Sequence, residues 1–101
     1  MHLIQILLPL YDNGGRKFGR AAYVGVKAQL SARFQGLTAY SRVAAEGLWR
    51  VGKSVRRDDI IVYEVMAKSL NRNWWAKYRK HLEAVFRQES IIIRAQRVAL
   101  M

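Results

Sequence analysis

Hydrophobic and polar positions alternate at the start of the chain and then change to a helical period. Ile4, Ile6 and Leu8 lie on one side of residues 1–10, which predicts a β-strand, and the turn-forming residues 12–15 end it. Apolar residues then recur at every fourth position between residues 16 and 34, namely Phe18, Ala22, Val26, Leu30 and Phe34. This spacing predicts a first α-helix with one apolar face.

The middle of the chain predicts a β-hairpin. Residues 37–43 are strand-like, residues 47–51 continue or restart that strand, and a turn follows at residues 52–54. The chain then returns, and the β-branched and aromatic residues between 60 and 66 are its strongest strand signal. We expect the two strands to pair in an antiparallel manner.

A second helix and a last strand complete the pattern. The helix is predicted from five apolar positions at helical spacing, which are Trp75, Tyr78, Leu82, Val85 and Phe86. Asn71 or Asn73 is expected to cap its first turn, and either Trp74 or Trp75 to lie in the core while the other is partly exposed. Residues 91–98 predict the last strand.

The order strand, helix, strand, strand, helix, strand is that of the ferredoxin-like α+β fold. In this fold the last strand neighbours the first, the first neighbours the third, and the third neighbours the second, in one antiparallel sheet. Two helices cover only one face of a four-stranded sheet. A chain of 101 residues has room for one such domain, to which we assign residues 1–101.

The sheet face opposite the helices is expected to be half apolar. Six apolar residues are predicted to lie on it, namely Leu3, Leu7, Val62, Met66, Ile92 and Val98. Such a patch is larger than a monomer usually exposes, and two-fold self-association is the commonest way for a small chain to cover it. We therefore expect a homodimer in which two sheets face each other and form a dimeric α/β barrel.

Three polar residues, Gln5, Glu64 and Arg94, are predicted to lie side by side on that same face. Glu64 and Arg94 would either form a buried pair that fixes the register of the interface or bind a polar ligand inside the barrel. Burial without a close cation would suit Glu64 to general-base catalysis, so it is the candidate catalytic residue. Tyr40 and Trp49 are candidates for the wall of a ligand pocket. The sequence leaves the structural and the ligand-binding roles open.

Composition excludes several classes of chemistry. The chain has no cysteine, and its two histidines, His2 and His81, lack metal-ligand spacing, so we expect neither disulfides nor a metal site. A phosphate-binding loop and a dinucleotide fingerprint are also missing, and we expect no cofactor. The longest apolar run, residues 3–10, is far shorter than the roughly 20 residues that span a bilayer, and it lacks the flanks of a secretory signal. We expect a cytoplasmic protein with no membrane segment.

The chain is strongly basic, with 18 Lys and Arg against 7 Asp and Glu and a net charge of +11. Such a surface attracts acidic partners, including nucleic acid. The third predicted strand nevertheless lacks the basic, glycine and aromatic signature of an RNA-recognition motif, which shares this topology, so we do not expect specific nucleic-acid binding. A second hypothesis follows, in which the protein is a structural or regulatory interaction module that docks acidic partners or binds nucleic acid nonspecifically.

Five segments together resemble a family of short bacterial proteins of unknown function. They are LPLYDN, RFQGLTAYSR, AAEGLW, RRDDIIVYEVM and FRQESIIIRAQ, and they cover nearly the whole chain. More loosely, the predicted layout resembles the dimeric α/β-barrel superfamily, which includes cofactor-free monooxygenases and muconolactone isomerases. That resemblance implies a homodimer that binds or transforms a small organic molecule, often between the sheet and the helices of one subunit, where this chain offers Tyr63, Tyr78 and Trp75. Whether the protein is an enzyme stays open at this stage.

Overall fold

A computed structural model of the chain describes residues 1–42, 50–51, 54–55 and 60–101, with side chains described for residues 1–39 and 60–101. Those residues contain eight elements of secondary structure. In chain order they are β1 (His2–Pro9), α1 (Arg20–Arg33), β2 (Leu37–Arg42), β3 (Arg50–Val51), β4 (Ser54–Val55), β5 (Ile60–Ala67), α2 (Arg72–Val85) and β6 (Ile92–Arg97).

Four of the strands form one antiparallel sheet in the order β2-β5-β1-β6. This is the strand order of the ferredoxin-like fold, and it confirms the arrangement expected from the sequence. The short strands β3 and β4 pair with each other in a separate hairpin, where Arg50 lies opposite Val55. The antiparallel partner of β2 is β5, as the sequence predicted.

The hydrophobic core lies between the helices and one face of the sheet. Ile4, Ile6 and Leu8 on β1 are completely buried there, as the alternation of the sequence predicted. The helices contribute the other half of the core, chiefly Val26, Leu30, Trp75, Tyr78, Leu82 and Phe86. Burial of apolar side chains from both layers removes them from water, and this stabilises the packing of the helices on the sheet.

The ends of the helices differ in detail from the sequence pattern. Helix α1 begins only at Arg20, and it ends at Arg33, after which Phe34 is extended and Gly36 has a φ of +75°. Gly36 thus adopts the left-handed conformation that glycine accepts readily, and it lies beyond the helix cap. Helix α2 is capped by Asn71, whose side chain accepts a hydrogen bond from the backbone N–H of Trp74 (3.1 Å).

Helix α2 ends in a Schellman motif, a pair of hydrogen bonds that satisfies the last carbonyls of a helix. The backbone N–H of Gln88 donates to the carbonyl of Glu83 (2.9 Å), and the N–H of Arg87 donates to that of Ala84 (3.3 Å). Arg87 has a φ of 51°, which places it in the left-handed region that glycine adopts more readily than residues with a Cβ atom.

We expect Arg87→Gly to raise the free energy of unfolding by about 0.5 kcal/mol, because glycine removes the steric cost of the left-handed backbone. Removing the Arg87 side chain costs little stability. Its guanidinium lies 3.8 Å from the carboxylate of Asp12, but the side chain is 73% exposed, and exposed ion pairs contribute little to the free energy of unfolding. Urea unfolding measures the change. Gln88→Gly is the control and should lower stability, because Gln88 does not adopt a positive φ. A loss of stability in Arg87→Gly would contradict this expectation.

Two tyrosine hydroxyls connect the elements above the sheet. The hydroxyl of Tyr23 on α1 donates to the carbonyl of Pro9 at the end of β1 (2.7 Å). The hydroxyl of Tyr78 on α2 donates to Oε1 of Gln29 on α1 (2.9 Å). Burial raises the pKa of both tyrosines to about 12, and the neighbouring Tyr63 adds to the rise.

We expect the free energy of unfolding to fall as the pH rises from about 10 to about 12. An unfolded tyrosine ionises near pH 10, whereas Tyr23 and Tyr78 keep their protons in the folded state until the pH approaches their raised pKa of about 12. The contribution of the two tyrosines to stability is therefore complete below about pH 10, and it is lost as the pH rises from there through their folded-state pKa of about 12. Thermal unfolding across this range should show a shallower decline for Tyr23→Phe, and an equal decline in both proteins would refute this assignment.

Candidate functional site

A row of polar residues crosses the sheet on the face opposite the helices, which we call the open face. The strand register places Thr38, Glu64, Gln5 and Arg94 side by side on β2, β5, β1 and β6. The side-chain amide of Gln5 donates to Oε1 of Glu64 (2.7 Å) and accepts from Nε of Arg94 (2.7 Å). The carboxylate and the guanidinium are thus linked through the amide.

The linked groups are only partly buried. Gln5 and Glu64 are half-buried, whereas Arg94 on the edge strand β6 is exposed. Hydrogen bonds to charged groups are stronger than those between neutral groups, and they fix the relative positions of three strands here. In this arrangement Gln5 is the central residue, because it is the one that contacts both of the others.

We expect Gln5→Leu to lower the free energy of unfolding by about 1–2 kcal/mol, because Glu64 and Arg94 lose the amide that joins them. Partial exposure keeps the loss below that of a fully buried network. Gln96→Leu is the matched control, since Gln96 is exposed on the same face of the neighbouring strand β6. Chemical denaturation of both variants tests this expectation, which fails if the two substitutions cost the same.

The apolar residues assigned to the open face differ in exposure. Ile92 is 57% exposed and Met66 is 38% exposed, whereas Val62 on the same face is only 1% exposed. Leu3, Leu7 and Val98 are half-buried. Ile92 and Met66 therefore provide most of the accessible apolar surface among the large described side chains of this face.

The structure describes only in part the two aromatic residues that are candidates for a pocket wall, Tyr40 and Trp49. Tyr40 lies on β2 opposite Val62 of β5, which assigns it a register position beside the polar row. Trp49 lies outside the described residues. The proposed pocket wall formed by these two residues therefore stays a prediction.

Charged residues of both signs lie on the open face. Among the described side chains of β1, β5 and β6 that point to this face, Glu64 and Arg94 carry opposite charges and the others are uncharged. The chain as a whole carries +11. Arg42 of β2 also has a register position on this face, opposite Ile60 of β5.

A cleft lies on the other side of the sheet, between α2 and β6, and we call it the α2–β6 cleft. Its volume is about 280 Å³, and Ala76 of α2 and Ala95 of β6 are among its lining residues. Ala95 pairs with the buried Ile4 of β1, on the helix side of the sheet, yet Ala95 itself is exposed. Two alanine methyl groups do not fill the gap between a helix and an edge strand, and this opens the cleft.

The wall of the cleft on α2 carries two arginines. Arg72 is the first residue of α2, and Arg79 follows two turns later on the same side, about 10 Å further along the helix axis. Nε of Arg79 is 4.0 Å from Oε2 of Glu83, and that oxygen also accepts a hydrogen bond from the backbone N–H of Ile91 (3.1 Å). The Glu83 carboxylate is thus shared between Arg79 and the start of β6.

A larger space of about 630 Å³ lies beside the end of β5, and its lining includes Arg33, Lys68 and Trp75. Its arginine is already engaged, because the guanidinium of Arg33 stacks over the ring of Trp74 at 4.3 Å from the ring centre. The α2–β6 cleft is the better candidate for a ligand site, since its two helix arginines flank a small, partly enclosed volume.

Sequence reasoning missed Arg72 and Arg79 as possible functional residues. Their separation of seven positions places them on one side of a helix, and this signal was present in the sequence. A second signal was the position of Arg72, because a cation in the first turn of a helix opposes the helix dipole. The volume beside them depends on how α2 meets β6, which the linear pattern does not show.

Neither helix described by the structure has the length and hydrophobicity that crossing a membrane requires. The same described residues contain no group of three or more histidine, aspartate or glutamate side chains arranged to hold a metal ion. These findings leave the polar row and the α2–β6 cleft as the candidate sites within the described parts of the chain.

Comparison with known proteins does not assign the chain to a family. No protein-family model matches the chain, and neither the curated proteins nor the solved structures contain a significant match. The resemblance to a short bacterial family therefore stays a prediction. The ferredoxin-like arrangement of four antiparallel strands and two helices stands on the strand order alone.

Proposed function

We propose that the protein is a homodimer that binds a small organic molecule in each subunit. The observation that carries the ligand-binding part is the α2–β6 cleft, which combines an apolar floor with charged groups at its wall. Small-molecule sites are commonly concave, mostly apolar and equipped with a few polar groups that orient the ligand. The polar row is the less suitable site, because its hydrogen-bonding groups already contact one another.

The open face supports the homodimer. Both helices pack on the opposite side of the sheet, and Ile92 and Met66 remain accessible on the open face. Water contact with apolar surface is unfavourable, and a second copy of the chain would remove it. A two-fold axis lets the same patch serve both partners.

Charge also favours the open face as the contact between copies. Two chains of charge +11 repel each other over most of their surface. Glu64 and Arg94 balance each other on the open face, and a two-fold axis can bring the acidic residue of one copy near the basic residue of the other. The polar row then orients the two sheets, while the apolar residues provide the burial.

The ligand-binding part is tested by adding small organic compounds to the isotope-labelled protein and recording amide-resolved NMR spectra. We expect compounds that bind to shift the signals of residues at the α2–β6 cleft, such as Trp75, Ala76 and Ile93. Shifts confined to the open face would move the site to the polar row. A compound library that shifts no signal would contradict the small-molecule function.

The second candidate function is a basic interaction module that docks acidic partners. The net charge of +11 favours it, because such a surface attracts polyanions without a shaped pocket. Mobility-shift assays with DNA and RNA at two salt concentrations distinguish the candidates. Submicromolar binding with a steep salt dependence would favour the module, whereas weak binding that disappears at physiological salt would favour the small-molecule function.

A further inference from the structure

The α2–β6 cleft has an excess of positive charge. Two arginines of α2, Arg72 and Arg79, line it, and none of the residues that line it is acidic. Arg94 of β6 also borders the cleft, but its register position is on the open face of the sheet. Arg94 is already bonded to Gln5 in the polar row, and Arg79 has a contact of 4.0 Å with Glu83. For Arg72, the described residues contain no ion-pair partner within 4.0 Å.

Arg72 lies at the N-terminus of α2, where its positive charge lowers the stability of the fold. The N-terminus of an α-helix carries a partial positive charge, so a cation there is repelled and an anion is attracted. Helix α2 has no acidic residue in its first turn to offset Arg72. An anion bound in the cleft would be attracted by Arg72 and by the helix terminus together.

Apolar side chains also line the cleft. Ile4 and Ile93 of the sheet, Leu70 and the indole of Trp75 are among the residues that form it. Charged groups at one wall and apolar groups at the floor match a ligand that has a charged end and an apolar body. The volume of about 280 Å³ is at the lower limit of ligand pockets, which restricts the ligand to a small compound.

We propose that the α2–β6 cleft binds a small organic carboxylate, with its carboxylate between Arg72 and Arg79 and its apolar body against Trp75 and Ile93. This inference rests on the small-molecule function proposed above and names the chemical class of the ligand. Guanidinium groups suit the task because their planar donors match the two oxygens of a carboxylate.

Matched pairs of probes test the role of the charge. Benzoate and hexanoate are titrated into the labelled protein, each beside its neutral amide, benzamide or hexanamide, at constant ionic strength. We expect the carboxylates to shift the backbone signals of the cleft and to bind at least ten-fold more tightly than their amides. Equal binding by acid and amide would overturn the carboxylate proposal and leave the small-molecule function standing.

Three variants locate the effect. Arg72→Gln and Arg79→Gln should each weaken benzoate binding at least five-fold. Lys77→Gln is the control, because Lys77 is an exposed residue of the same helix that does not line the cleft, and this variant should bind benzoate as tightly as the wild-type protein. The melting temperature of Arg72→Gln should stay the same or rise, because the substitution removes a repelled cation. An equal loss in Lys77→Gln would show a general charge effect and overturn the proposal.

A final variant separates the cleft from the basic surface around it. Ala95→Leu adds apolar volume to the cleft without changing any charge, and it should abolish benzoate binding. Undiminished binding in Ala95→Leu would overturn the placement of the ligand. If neither the acids nor the amides shift any signal of the wild-type protein, both this proposal and the small-molecule function fail.

Discussion

Replacing Ile92 with arginine is expected to convert the proposed homodimer into a monomer. Ile92 is 57% exposed on the open face of β6, so the larger, charged side chain fits the single chain without disturbing its core. In the dimer the same side chain would be buried against a second sheet, and burying an unpaired charge costs several kcal/mol. Light scattering coupled to size-exclusion chromatography measures the change in mass.

Val24→Arg provides the matched control for Ile92→Arg. Val24 is also β-branched and is 54% exposed, but it lies on α1, on the other side of the sheet. The two variants add the same charge at nearly the same exposure, so only the location differs. We expect Val24→Arg to leave the mass of the particle unchanged. A dimer that persists in Ile92→Arg would refute the open face as the interface.

The largest loss of stability is expected from Phe86→Ala, which should lower the free energy of unfolding by about 3–5 kcal/mol. Phe86 is completely buried just after α2. Its ring makes an edge contact with Phe18 at 5.1 Å and a tilted contact with Tyr23 at 5.4 Å between ring centres. Truncation leaves a cavity and removes both contacts, so the cost exceeds the transfer of one phenyl ring from water. Urea denaturation measures it.

Val85→Ala is the control for Phe86→Ala. The two residues are adjacent, and the sequence pattern assigned both to the apolar face of α2, but Val85 is 40% exposed. We expect Val85→Ala to change the stability by less than about 0.5 kcal/mol, because little apolar surface is lost and alanine favours the helix. Similar losses in the two variants would contradict the position of Phe86 in the core.

The strand order and the two faces of the sheet could be predicted from the sequence. Alternation with a period of two separates Ile4 and Ile6 from Gln5, and a shift of one residue would place an amide in the core. Because the core strongly favours one register, Gln5 also falls opposite Glu64 and Arg94. The polar row was therefore predictable as a consequence of core burial.

The α2–β6 cleft was not predictable in this way. Ala76 of α2 and Ala95 of β6 both line it, and a linear pattern does not show how far apart a helix and an edge strand pack. Periodicity treats Ala95 as one more apolar residue beneath a helix. Arg72 and Arg79 look like solvated charges until the volume between them is known.

The helices cover one face of the sheet, and we propose that a second copy of the chain covers the other. Sedimentation equilibrium of the wild-type protein at low micromolar concentration and physiological salt tests it most directly. We predict a particle with twice the 11.7 kDa mass of one chain. A particle of 11.7 kDa under those conditions would contradict it.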